Sequence, residues 1–186
     1  MKLNRRLLLA FTAILAGHAS AQSISSGFVV RISETWLTTH ATAGPNNVGN
    51  CLLVMPNGRM HLELRRQEFF DGKVSLKTYE STLDSEAMER LRSILDEATV
   101  RALPPPDEPE VRMNAQAIEG FTAEIARLGG VQKVGYSIWH GEGLNNQTTV
   151  GKEANSALKP LVEWSHAAKS SKDWRPVPNP KTLCRE

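Results

Sequence analysis

CLLVMPNGRMHLELRRQEFFDGKVSLKTYESTLDSEAMERLRSILDEA, residues 51–98, decides the fold class. Cys51 to Met55 is apolar throughout. Pro56-Asn57-Gly58 then supplies a proline suited to open a turn and residues that tolerate positive φ, so the chain should reverse there. Beyond the turn, Met60, Leu62 and Leu64 alternate with Arg59, His61, Glu63 and Arg65, which predicts a second strand with one buried and one solvated face. Asp71-Gly72 repeats the turn signal, and Val74, Leu76 and Thr78 alternate with Ser75, Lys77 and Tyr79, giving a three-strand meander. Asp84 is placed to cap a helix, with Leu83 stapling onto Met88. Ala87, Leu91, Ile94, Leu95 and Ala98 then form one stripe opposite Glu86, Arg90, Arg92, Ser93 and Asp96. A helix this short needs a sheet face to cover.

Upstream, Phe28, Val30, Ile32 and Trp36 share one side of a period of two, which predicts a strand with one face buried. His40 to Asn50 is rich in glycine and asparagine, lacks an apolar period, and reads as a long exposed loop. Downstream, Leu103 to Glu110 holds four prolines and should run extended and solvated. Ala117 to Leu128 and Val131 to Trp139 read as a hairpin about Gly129-Gly130, with Phe121, Ala123 and Ile125 on one face and Val134, Tyr136 and Ile138 on another. The start of that hairpin, Ala115 to Glu119, is equally compatible with helix. Gly141 to Thr149 reads as a second polar loop. Leu158, Leu161, Val162, Ser165 and Ala168 mark a second helix, from Ala157 to Ser170, with Pro160 in its first turn. Asp173 to Pro180 cannot be helical and should lie over the surface. The expected fold is α+β: an antiparallel sheet of five or six strands, meander plus hairpin, with two helices packed on one face.

Met1 to Ala21 has the charged, apolar and small-residue order of a secretory signal, with cleavage after Ala21. Its apolar run is about 10 residues, against the ~20 a membrane-spanning helix needs. The leader carries three of the 22 basic residues and none of the 20 acidic ones. The remaining chain thus holds 19 basic against 20 acidic residues, net −1, which offers no general attraction to nucleic acid or an anionic membrane. The expected organisation is a signal peptide (1–21), a single α+β domain (22–170) and a proline-rich tail (171–186). A bacterial protein exported to the periplasm or medium meets oxidising conditions, so its two cysteines, Cys51 and Cys184, are expected to pair and tie the tail back.

The sequence carries no catalytic constellation. G-x-S-x-G is absent, and Gly141-Glu142-Gly143 lacks the third glycine and the βαβ setting of a phosphate-cradling loop. The nearest approaches to a metal-ligand spacing are His61 with Glu63, on one face of a strand, and His140 with Glu142 at a loop entrance. Neither pair has a second histidine or a cysteine at ligand spacing, and the expectation is no metal and no cofactor. Arg59, Arg65, Arg66, Lys73 and Lys77 are expected to share the solvent side of the meander as a solubilising face, with an acidic or nucleic-acid partner as the less favoured use. Trp36, Trp139, Trp164 and Trp174 are expected in core and rim, Trp174 being the one placed for exposure. Asn146-Gln147-Thr148 matches a glycosylation sequon.

The order of elements, with LDSEAMERL (83–91) heading a helix, Ala102-Leu103-Pro104 after it, a hairpin, and LKPLVEW (158–164) near the end, resembles small exported bacterial α+β domains, among them the emfourin-like proteinase inhibitors. The resemblance covers Met60 to Ala168 and implies an α+β fold and, as one function, proteinase inhibition. No inhibitory residue carries over. Three function classes follow: an exported non-enzymatic binding domain of unknown partner, with a protein as one candidate; a proteinase inhibitor; and a metal-dependent or hydrolytic enzyme. The first is favoured, and its expected working surfaces are the loops His40 to Asn50, Leu103 to Asn114 and Gly141 to Thr149.

Overall fold

The computed structural model describes residues 27–38, 46–67, 72–106, 115–141, 147–178 and 182–184. The signal-like leader, residues 40–45, 107–114 and 142–146 of the three loops, Glu142 and Asn146 included, and Asp71 of the second turn signal lie outside the described residues.

The chain is α+β, built on one antiparallel sheet of eight strands with four helical segments. β1 (Val30–Thr38), β2 (Asn46–Val54), β3 (Arg59–Gln67) and β4 (Ser75–Thr82) form a meander. α1 (Ser85–Asp96) and α2 (Ala98–Arg101) carry the chain back across the sheet to β5 (Ala117–Arg127), which pairs with the other side of β1. β6 (Gly130–His140) and β7 (Gln147–Val150) extend that half to the edge. α3 (Lys152–Ala157) and α4 (Lys159–Lys169) then return the chain to the opposite edge, where β8 (Arg175–Pro176) pairs with β4. The order is β7-β6-β5-β1-β2-β3-β4-β8.

The hairpin at Pro56-Asn57-Gly58 forms as its residues dictate. Gly58 sits at φ 82°, and a Cβ there would meet the Leu83 carbonyl oxygen at 2.8 Å, so the turn also seats the start of α1. Leu83 N–H donates to the Gly58 carbonyl, and the Asp84 side chain accepts from Ala87 N–H at 2.8 Å. Met88, Leu91 and Leu95 of α1, Val100 of α2, and Leu158 and Leu161 of the second helical pair bury against Val30, Ile32, Leu52, Val54, Met60, Leu62, Phe121, Ala123, Ile125 and Val134. The helices therefore sit on one face of the sheet, as four segments where two helices were expected, and the sheet has eight strands where five or six were expected.

Five differences from the sequence expectation have physical causes. First, Asn46 to Asn50 is strand: the ladder with β1, from Thr38↔Asn46 to Glu34↔Asn50, overrides the low strand propensity of asparagine and glycine. Second, β7 and β8 arise inside segments read as loop and tail. Both are short edge strands, four and two residues, whose pairing comes from the neighbouring strand and not from their own pattern. Third, the first helix ends at Asp96, leaving Ala98 exposed, and α3 adds six residues before Leu158. Fourth, β3 is buried on both faces in its middle, with His61 at 3% and Glu63 at 0% exposure, while Leu64 is exposed. Fifth, register divides the expected basic face. Arg59 and Arg65 lie on the side of His61 and Glu63, whereas Arg66 and Lys77 lie on the side of Leu64. Arg59 pairs with Glu80 and Arg65 with Glu63.

The tail is the reason for the fourth difference. Cys51 and Cys184 form a disulfide spanning 133 residues, with Cα atoms 6.3 Å apart. Cys51 lies directly opposite Glu63 in the β2–β3 ladder. The bridge thus brings Leu183 and Cys184 over Glu63 on the face away from the helices. There the Glu63 Oε1 accepts from the backbone N–H of Leu183 at 2.6 Å and of Cys184 at 3.0 Å, with His61 Nε2 at 3.3 Å. Arg65 donates to the second oxygen at 3.3 Å.

Candidate functional site

Alternation along β1 sends Val30, Ile32, Glu34 and Trp36 to the helix side, and register aligns them with Val54, Leu52, Asn50 and Val48 of β2. On the other flank they meet Ile125, Ala123, Phe121 and Glu119 of β5. The first two rows are core. In the third row only Phe121 belongs to the core, and the fourth row lies outside it, because the helices run out: α4, with 11 residues, is about 16 Å long, whereas the 11-residue β5 and β6 each span about 36 Å.

Glu34 marks the boundary. Its Oε2 accepts from Lys169 Nζ at 2.5 Å and Asn50 Nδ2 at 3.1 Å, and its Oε1 lies 3.1 Å from Ser165 Oγ and 3.4 Å from His166 Nε2. Ser165 is fully buried, and its hydroxyl also lies 2.9 Å from the Val162 carbonyl oxygen, so its one proton serves one acceptor at a time. The carboxylate joins the last turns of α4 to the central strand. Burial raises its pKa, but the Lys169 hydrogen bond and charge, the Asn50 amide and the His166 ring together outweigh it, so the net shift is downward. A carboxylate depressed on folding stabilises the fold above its ordinary value of 4.5 and loses that contribution as pH falls through the folded value. Urea unfolding between about pH 3 and pH 6 should therefore show a shallower loss of stability on acidification in Glu34→Gln than in the parent chain.

Past Glu34 the sheet face is open. Trp36, Val48 and Leu64 are exposed by 39%, 36% and 38%, and they occupy three adjacent strands. Trp36 pairs with Val48 on one side and with Glu119 on the other. Glu119 Oε1 lies 2.8 Å from His140 Nε2, and the His140 ring sits 5.6 Å from the Trp36 ring. Phe121 and Tyr136 stack at 5.6 Å. Trp36, Val48, Glu119, Phe121 and Tyr136, with Glu34 and with Val162 and His166 of α4, line a groove of about 210 Å³, with the His140 ring behind Trp36. Burial pushes the Tyr136 phenol pKa up, and the negative charges of Glu34 and Glu119 push it further.

The structure thus brings His140 into a site, but with Glu119 as partner; Glu142 lies outside the described residues. His61 and Glu63 do adjoin one another, yet not on a solvated face: the disulfide-held tail closes over them. His61 Nδ1 and Thr78 Oγ1 are buried there without a hydrogen-bond partner among the described residues. Among those residues no group of three or more His, Cys, Asp or Glu is arranged to hold a metal ion. Trp174 is not the exposed tryptophan. It is half-buried against the core and donates its indole N–H to the Ala168 carbonyl at 2.9 Å.

Sequence reasoning missed Glu34, Glu119 and Lys169. The signal was present for two of them: Glu34 interrupts the apolar parity of Val30, Ile32 and Trp36, and Lys169 follows Ser165, the polar member of the α4 stripe, by one helical turn. A polar group on an apolar stripe of each of two elements is the pattern of a buried cross-link between them. No helix among the described residues is long and apolar enough to cross a membrane. No protein-family model, curated protein or solved structure matches the chain.

Proposed function

We propose that the chain is an exported, non-enzymatic binding domain that works in the periplasm or outside the cell and takes its partner on the helix-free end of the sheet around Trp36. Export is supported by the charged, apolar and small-residue order of Met1 to Ala21 and by the Cys51–Cys184 disulfide. The observation that carries the choice of surface is the group of Trp36, Val48 and Leu64, three exposed apolar side chains on adjacent strands, Trp36 directly opposite Val48 and Leu64 diagonal to it beside Arg66, bordered by Glu119, His140 and His166. A contiguous apolar strip with a polar rim is the composition of an interface, and an exposed tryptophan on a central strand is an anchor whose position is already fixed. The three loops expected to bind are replaced in this reading by the sheet face itself.

A photo-crosslinking residue at position 36, expressed in the exporting host, should give discrete adducts that Val48→Asp removes. The same residue at position 128, on the hairpin tip at the far end of β5, should give none of them. Identical adducts from both positions would refute the assignment of the surface.

A further inference from the structure

We propose that the groove beside Trp36 receives one arginine side chain of a partner protein, an assignment that rests on reading this end of the sheet as the binding surface. Size comes first. At about 210 Å³ the groove lies below the 300–1,000 Å³ range of clefts that enclose a whole small molecule, and suits a single long side chain. Its lining includes three aromatic rings, Trp36 and the stacked pair Phe121 and Tyr136, and the His140 ring lies 5.6 Å from that of Trp36. An aromatic face attracts a cation through its quadrupole, and a guanidinium, planar and weakly hydrated, stacks on indole better than an ammonium does.

Charge agrees with shape. The groove lining holds two carboxylates, Glu34 and Glu119, and no lysine or arginine; Lys169 reaches Glu34 from outside that lining. The two carboxylates are not equivalent. Both oxygens of Glu34 are engaged by Lys169, Asn50 and Ser165, so Glu34 contributes field but little free acceptor capacity. Glu119 uses only Oε1, toward His140, and its Oε2 has no hydrogen bond among the described residues. The Tyr136 hydroxyl has none there either, and burial first, then the same two negative charges, push its pKa up. A guanidinium lying on the Trp36 indole would find Glu119 Oε2 and Tyr136 Oη as acceptors for its N–H groups.

The test uses the signal-less chain with its disulfide formed, and the capped peptide acetyl-Gly-Gly-Arg-Gly-Gly-amide, titrated while the indole N–H resonance of Trp36 is followed by NMR. Saturable movement of that resonance is expected, with the three other indoles unmoved. The citrulline peptide, equal in shape but uncharged, should bind at least about 10-fold more weakly, and Glu119→Gln should weaken the arginine peptide by about 10-fold. Trp36→Ala, which removes an exposed side chain and leaves the core intact, should abolish binding, read from the His140 ring signals. No movement of the Trp36 resonance up to about 10 mM peptide, citrulline binding as tight as arginine, or indifference to Glu119→Gln each overturns the arginine assignment. If position 36 still yields its specific crosslinks in that case, the binding surface stands and only the ligand chemistry falls; if both fail, the surface falls too.

Discussion

Replacing Glu63 with alanine is expected to cost about 3–5 kcal/mol of folding stability, the range for removing one member of a buried charged network. The side chain has no exposed surface, and it is the common acceptor for the backbone N–H groups of Leu183 and Cys184, for His61 and for Arg65. Alanine leaves the two amides and the His61 ring unsatisfied and adds a cavity. Glu63→Gln keeps an oxygen for the amides but turns an NH₂ group toward Arg65, so its cost should be smaller than that of alanine. Urea denaturation of the three proteins, compared at equal m-values, checks the order. Equal stability of the parent and Glu63→Ala would contradict the role given to this carboxylate.

Removing the disulfide should have an effect of similar size. In the chain-entropy description a closed loop of 133 residues is worth roughly 4–5 kcal/mol, and losses of about 2–5 kcal/mol are usual for native bridges. Cys51→Ser with Cys184→Ser should fall in that range. The two perturbations should not add. The amides of Leu183 and Cys184 are held over Glu63 by the bridge, so in the serine double variant the tail is freer to leave and Glu63 can regain water. Glu63→Ala should then cost less than in the parent, with a coupling of about 1–3 kcal/mol. Strict additivity would mean that the tail reaches Glu63 without help from the bridge.

The elements with a strong local pattern were legible. The Pro56-Asn57-Gly58 reversal, the Asp84 cap, the buried positions Met88, Leu91 and Leu95, the hairpin β5–β6 and the Cys51–Cys184 pair are all present. What escaped was set by partners distant in sequence. β7 and β8 exist because β6 and β4 offer open edges; Asn46 to Asn50 is strand because β1 is long enough to pair with it. The alternation of β3 gave the two faces correctly but not their environments, since what covers His61 and Glu63 lies 120 residues away. Likewise the apolar parity of β1 includes Trp36, yet helix length leaves that residue outside the core. Sequence period assigns a side chain to a face, and only tertiary coverage decides whether that end of the face is dry.

The same reasoning moves the expected working surface. Histidines and carboxylates drew notice at His61 and Glu63, where the geometry accounts for them as a structural latch. The exposed apolar strip lies instead on β1, β2 and β3 at the end of the face the helices do not reach, beside a carboxylate with an open oxygen. The most direct measurement is hydroxyl-radical footprinting of the protein in the concentrated fluid into which its host exports it, set against the purified chain. Protection of Trp36, Val48 and Leu64 is expected, with Leu128 and Val131 at the other end of the sheet labelled equally in both samples. Equal labelling of Trp36 in the two samples, or protection confined to Leu128 and Val131, would contradict it.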